Sequence, residues 1–141
     1  MNEKSITNIY LNNNGTINDL SGIEKFRNLT QLTISRSGVK DITSIAKLTN
    51  LETLSLEKND ISDFLELYKL EKLKSLNLKG NEKIDGNIDD YAGERLQKLN
   101  KISEILDNDG SIDMDVQNLG LFKNYKTLNL SNQKLTDLSS L

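Results

Sequence analysis

Apolar residues in this chain recur in a short pattern, and the pattern itself repeats. The segment LTQLTISRSGVKDITSIAKLTN from Leu29 aligns without gaps on LETLSLEKNDISDFLELYKLEK from Leu51, and a third start follows at Leu73, giving a period of 22 residues. Segments starting at Ile6 and Ile102 match each other at 23 residues, sharing Ile, Ile, Gly, Phe and Asn positions. A sixth copy opens at Tyr125 and stops at Leu141 before the unit closes. The repeats therefore start near residues 6, 29, 51, 73, 102 and 125, within a single domain spanning 1–141 whose last repeat is incomplete.

Three apolar columns emerge when the copies are stacked. The first holds Ile6, Leu29, Leu51, Leu73, Ile102 and Tyr125; three residues on come Ile9, Leu32, Leu54, Leu76, Ile105 and Leu128; two further on come Leu11, Ile34, Leu56, Leu78 and Leu130. Alternation over the last two columns predicts one short strand per copy, with a buried and a solvated face. In the return half, Ile42, Ile45 and Leu48, then Phe64, Leu67 and Leu70, step by three, as a turn-rich or 3₁₀ segment requires. No copy can shield its own apolar side. Stacking buries a shared column, each enclosed Leu or Ile contributing roughly 1.5–3 kcal/mol against chain entropy. Asn14, Ser37, Asn59, Asn81 and Gln133 fall at the bend after each strand, where a polar side chain can satisfy unpaired backbone groups.

The copy from Leu73 to Lys101 runs 29 residues, seven over the period. Its extra material, GNIDDYAGERLQKLNK from Gly86, begins polar and turns helix-like, with Leu96, Leu99, Ile102 and Ile105, so an inserted loop and short helix are expected there.

The pattern LxxLxLxxNxI, as in Leu51, Leu54, Leu56, Asn59 and Ile61, together with DITSIAKLTN from Asp41, resembles the leucine-rich repeat, specifically the 22-residue kind of the bacterial internalins. The resemblance covers Ile6 to Leu141. It implies an α/β class fold: a right-handed solenoid with a parallel β-sheet on its concave face, turns and 3₁₀ segments on its convex face, and partner proteins seated on the concave side. The return segments here lack the family's proline, and no terminal cap, wall anchor or secretion signal is recognisable.

On that fold the outward strand positions form stripes, and the residues expected to contact a partner are Tyr10, Asn12, Gln31, Thr33, Arg36, Glu57, Asn77, Lys79, Glu104 and Leu106. Interface hot spots favour aromatics and Arg, which only Tyr10 and Arg36 supply; the competing reading is a merely solvated sheet face. A second partner-binding set lies in the insertion: Asp85, Asp89, Asp90, Tyr91 and Glu94, with Tyr91 as anchor. Against it stands a longer coil that only alters curvature.

Composition narrows the chemistry. With neither His nor Cys, the chain lacks thiol nucleophiles, imidazole bases, disulfides and thiolate or imidazole zinc sites. There is no nucleophile elbow or phosphate-cradling Gly loop, so no enzyme, no catalytic residue and no cofactor is expected. A net charge of −3 argues against nucleic acid as partner, and no apolar run is long enough for membrane insertion. Charge is uneven: Glu82 to Asp115 carries ten acidic and four basic residues, a net −6, leaving +3 elsewhere. Such asymmetry can steer a basic partner. DNDGSID from Asp107 looks like part of a calcium loop, but Ile105 and Val116 fall where its first and twelfth ligands belong, and NNNGTIN from Asn12 occupies the same place in another copy. A Gly turn of the repeat accounts for it, and no metal is expected.

The sequence is thus read as a non-enzymatic protein–protein interaction module acting through the concave face, the acidic insertion, or both. Two variants remain open. One is a small cytoplasmic inhibitor or effector that blocks a basic site, if Met1 is the native start; the other is a fragment of a surface or secreted internalin-like adhesion protein. Uncapped ends also predict end-to-end self-association.

Overall fold

A computed structural model describes residues 5–107 and 110–122. Five strands, β1 (Asn8–Asn12), β2 (Gln31–Ser35), β3 (Thr53–Ser55), β4 (Ser75–Asn77) and β5 (Ser111–Asp113), form one parallel sheet in chain order. The predicted second column is the register itself: Ile9 pairs with Leu32, Leu32 with Leu54, Leu54 with Leu76, and Leu76 with Ile112. Leu32, Leu54 and Ile112 are fully buried, and Leu76 is nearly so. Behind the sheet the chain returns through 3₁₀ turns at Ile23–Lys25, Ile45–Lys47, Leu65–Lys69 and Ile88–Asp90, and a longer one at Val116–Phe122. Their step-of-three residues Ile42, Ile45, Leu48, Phe64, Leu67 and Leu70 all enter the core.

Strands β1 to β4 are each followed by a left-handed kink. Asn13, Arg36 and Lys58 have φ of 57°, 51° and 57°, and the same place in the next coil is Gly80 at 75°. The kink lets the following side chain turn inward, and it does so at Ser37, Asn59 and Asn81, all buried. Asn59 Nδ2 donates to Ile34 O (2.7 Å) and Leu56 O (2.9 Å), while its Oδ1 accepts from Ser37 N (3.0 Å) and Val39 N (3.2 Å). Asn81 repeats the arrangement one coil on, donating to Leu56 O and Leu78 O and accepting from Ile61 N. The amides thus stitch consecutive coils through buried backbone groups that would otherwise be unpaired. Asn14 departs from the expected ladder: it is exposed, because no described coil lies outside it. Gln133 lies outside the described residues.

The fifth coil differs from the sequence reading. Residues Glu94–Asp107 form helix α1, and the strand that continues the sheet is β5, built around Ile112 rather than Ile105. Leu76 and its partner Ile112 are 36 residues apart, against 22 for Leu54 and Leu76, so the fourth coil exceeds the period by 14 residues and not seven. Leu99, Ile102 and Leu106, spaced three and four apart, bury one stripe of α1, which packs against the Leu65–Lys69 turn. Met114 supplies the third column that Leu56 and Leu78 occupy in earlier coils. Phe122 closes the return, its ring 6.2 Å from that of Phe64.

Two expectations fall with that register. Glu104 and Leu106 are not on the sheet face: both sit on α1, Glu104 exposed and Leu106 fully buried. Gly110 precedes a strand, whereas Gly15 follows one, so the two Gly turns are not equivalent places in the repeat. The repeat starting at Tyr125 lies outside the described residues.

Candidate protein-binding surfaces

Parallel register turns the outward strand positions into rows. The first runs Asn8, Gln31, Thr53, Ser75, Ser111, and the second Tyr10, Thr33, Ser55, Asn77, Asp113. A third begins with Asn12 and Ser35 and passes into the turns at Glu57 and Lys79. Neighbours along a row are hydrogen-bonded: Asn8 Nδ2 to Gln31 Oε1 at 3.0 Å, Ser35 Oγ to Asn12 Oδ1 at 2.8 Å, Ser111 Oγ to Ser75 Oγ at 3.3 Å. Small hydroxyl side chains fill the middle, at Thr33, Thr53, Ser55 and Ser75. Tyr10, 56% exposed, stands at the β1 edge. Arg36 is exposed but lies in the turn beyond β2, its N–H donating to Glu57 O, and Glu57 pairs loosely with Lys58 at 3.7 Å. Of the residues expected on this face, the structure therefore gathers Tyr10, Asn12, Gln31, Thr33 and Asn77, with Arg36, Glu57 and Lys79 on its border.

The insertion residues are placed elsewhere. Asp85, Asp89, Asp90 and Glu94 are exposed in the loop after β4 and at the start of α1, and α1 lies against a return turn rather than the sheet face. Tyr91, expected as a partner anchor, is a core residue: it is 5% exposed, its hydroxyl donates to Asp85 O at 2.9 Å, and Arg95 lies 4.9 Å over its ring. Burial raises its phenol pKa, opposed by the Arg95 charge. The side chain pins the loop to the solenoid. Helix α1 is tied down further by Lys98, whose Nζ donates to Glu66 Oε1 at 2.8 Å and lies 5.3 Å over the Tyr68 ring. With Lys69 also bonded, Glu66 is held below the ordinary carboxylate value.

A further column went unread in the sequence, although its spacing is the repeat itself. Asp19, Asp41, Asp63 and Asp85 stand 22 residues apart, and each accepts the N–H two residues on, from Ser21, Thr43, Leu65 and Asn87 at 2.8–3.0 Å. These Asx turns start each return segment. Hydrogen bonds from Ser21 and Thr43 lower the pKa of Asp19 and Asp41. Asp90 shifts the other way, raised first by a side-chain hydrogen bond with Asp85 and then by that neighbour's charge.

The sign of each shift sets a pH dependence. A lowered folded-state pKa, as at Asp19, Asp41 and Glu66, stabilises above the ordinary carboxylate value, and that stabilisation is lost as pH falls through the lowered one. For Asp90 the charged form is the disfavoured one, so its strain is present at neutral pH and disappears on protonation. Asp90→Asn is expected to melt slightly above the parent at pH 7, with the difference closing at about pH 3, where carboxylates are protonated. Thermal melts of both proteins at the two pH values check this; an equal gap at both would exclude the repulsion as cause.

Among the described residues no group of three or more acidic side chains is arranged to hold a metal ion, and no helix is long and apolar enough to cross a membrane. The family model for Leucine Rich repeats (2 copies) matches residues 49–93, ending where α1 begins. Among solved structures, the internalin inlF of Listeria monocytogenes matches with a TM-score of 0.67 and 24% identity, over 97% of this chain and 38% of that one. Internalin C2 (inlC2) of the same organism matches with a TM-score of 0.52 and 23% identity, over 89% of this chain and 42% of its own. This chain thus spans less than half the length of either internalin. No curated protein sequence matches it. The 22-residue register, the buried asparagine ladder, the five-stranded parallel sheet and these matches together give the chain the leucine-rich-repeat solenoid fold, similar to that of the internalins.

Proposed function

We propose that the chain is a non-enzymatic binding module whose partner is a protein seated on the sheet face. One observation carries the reading: the strands stand in unbroken parallel register, so their outward residues form a fixed polar surface with small Thr and Ser side chains at its centre. Such a surface loses little side-chain entropy on contact, and its hydroxyl and amide groups suit hydrogen bonding to a partner backbone or polar side chain. Tyr10 supplies an aromatic contact at one border, while Arg36, Glu57 and Lys79 supply charges at another. A second reading has the insertion carboxylates engage a basic site; the exposure of Asp85, Asp89, Asp90 and Glu94 together in one loop and at the start of α1 favours it.

Substitution separates the two. Ser55→Arg places a long cation at the centre of the face without touching the core, and is expected to weaken partner capture at least about tenfold, on the order of 1.4 kcal/mol. The triple change Asp85→Asn, Asp89→Asn, Asp90→Asn is expected to leave capture within about twofold. The opposite pattern would assign binding to the insertion.

A further inference from the structure

We propose that two copies of this chain pair through strand β1, in antiparallel fashion about a two-fold axis at Tyr10, joining their sheets edge to edge. β1 is the first strand of the sheet, paired only with β2 among the described residues. Thr7 O accepts from Gln31 N, and Asn13 N donates to Ser35 O, so the odd-numbered residues of this segment direct their backbone groups to β2. In a parallel pair alternate residues bond the neighbour, which leaves the N–H and C=O of Asn8, Tyr10 and Asn12 facing away from the sheet.

The sequence of β1, Asn-Ile-Tyr-Leu-Asn, has the same chemical pattern in both directions. Antiparallel pairing of two copies sets Tyr10 opposite Tyr10, Asn8 opposite Asn12, and Ile9 opposite Leu11. Each outward-facing residue then meets another outward-facing residue, forming the closely bonded pairs of an antiparallel ladder. Polar side chains stay on the sheet face and apolar ones on the core side. The strand carries no charge, so no like charges meet, and it has none of the Lys, Pro or bulge features that usually protect an edge.

Side-chain exposure agrees. Tyr10 is the only large hydrophobic residue exposed among the described ones, and the apolar residues of the first coil, Ile9, Leu11, Ile17 and Leu20, are only half-buried where their counterparts in the next coils are enclosed. A second copy's β1 covers this end and brings the Tyr10 rings together as a cross-strand aromatic pair. The partner surfaces of the two copies would then form one continuous bivalent sheet.

Light scattering coupled to size-exclusion chromatography over a wide concentration range tests the pairing. The parent chain is expected to shift from monomer toward dimer as concentration rises. Tyr10→Pro removes the central outward N–H without costing a bond to β2, and Tyr10→Lys opposes two cations across the axis. Both are expected to stay monomeric with parent-like circular dichroism, the second serving if the first misfolds. In this cysteine-free chain, Tyr10→Cys is expected to oxidise to a disulfide-linked dimer and Thr33→Cys is not. A parent that is monomeric throughout, its edge open or covered by other chain, overturns the proposal, as does a dimer unaffected by both Tyr10→Pro and Tyr10→Lys.

Discussion

Asn59→Ala is expected to destabilise the fold by at least about 3 kcal/mol, whereas Asn14→Ala, at the equivalent place in the first coil, changes it by less than about 0.5 kcal/mol. The difference lies in what each amide satisfies. Asn59 is 5% exposed and bonds two N–H groups and two carbonyls of its own and the preceding coil. Truncation leaves Ser37 N and Val39 N facing an apolar interior, and an unpaired buried donor costs about 1–3 kcal/mol. Asn59→Asp keeps the acceptor and loses both donors while burying a charge, so it is expected to be no better than alanine. Asn14 is exposed and has water to replace its contacts. Urea denaturation measures all three; equal losses at positions 14 and 59 would mean that the ladder does not hold the coils together.

Leu106→Ala is expected to cost about 2–5 kcal/mol, as removal of an enclosed leucine does elsewhere. Leu106 is fully buried on the inner stripe of α1 with Leu99 and Ile102. Had the fifth repeat begun at Ile102, the same residue would stand on the solvated sheet face and its truncation would be nearly neutral. Glu104→Ala, on the exposed side of the helix, is expected to change stability by less than about 0.5 kcal/mol. Chemical denaturation of the pair thus reads the register of this segment directly. A neutral Leu106→Ala would restore the sequence reading over the structural one.

Where the repeat is regular, the fold could be read from the chain. Leu32, Leu54 and Leu76 recur at one spacing because each strand must present the same face to the same core, and the structure stacks them in register. Asn59 and Asn81 follow from the same logic, since the bend leaves identical backbone groups unpaired in each coil. The reading failed at Ile102 and Ile105 for a physical reason. A separation of three is both the distance between the first two repeat columns and the i, i+3 spacing of a helix face. Leu99 and Leu106 decide the matter in favour of the helix, because their separations of three and four from Ile102 extend the stripe across Glu94–Asp107. The true fifth strand was faint: Ser-Ile-Asp followed by Met114 alternates correctly but contains no leucine. Asp19, Asp41, Asp63 and Asp85 were equally periodic and passed unread because exposed acidic residues suggest a solvated face rather than turn chemistry.

The surfaces were less legible than the core. Tyr10, Thr33 and Asn77 were placed correctly because alternation fixes which strand residues point outward. Tyr91 was not, because an aromatic in a polar insertion can serve either the loop's own anchoring or a partner. Its hydroxyl bond to Asp85 O and the Arg95 guanidinium over its ring give it the former role.

Engineered cysteines at Ser75 and Ser111 test most directly whether the coils stack as described, because the chain has no cysteine of its own to compete. The two residues are 36 positions apart, yet they are register partners on β4 and β5 with their hydroxyls 3.3 Å apart. Under mild oxidation Ser75→Cys with Ser111→Cys is expected to form an intramolecular disulfide in the folded protein, while Ser75→Cys with Glu104→Cys is not. Crosslinking of the second pair in place of the first would contradict the stacked sheet on which both proposed surfaces rest.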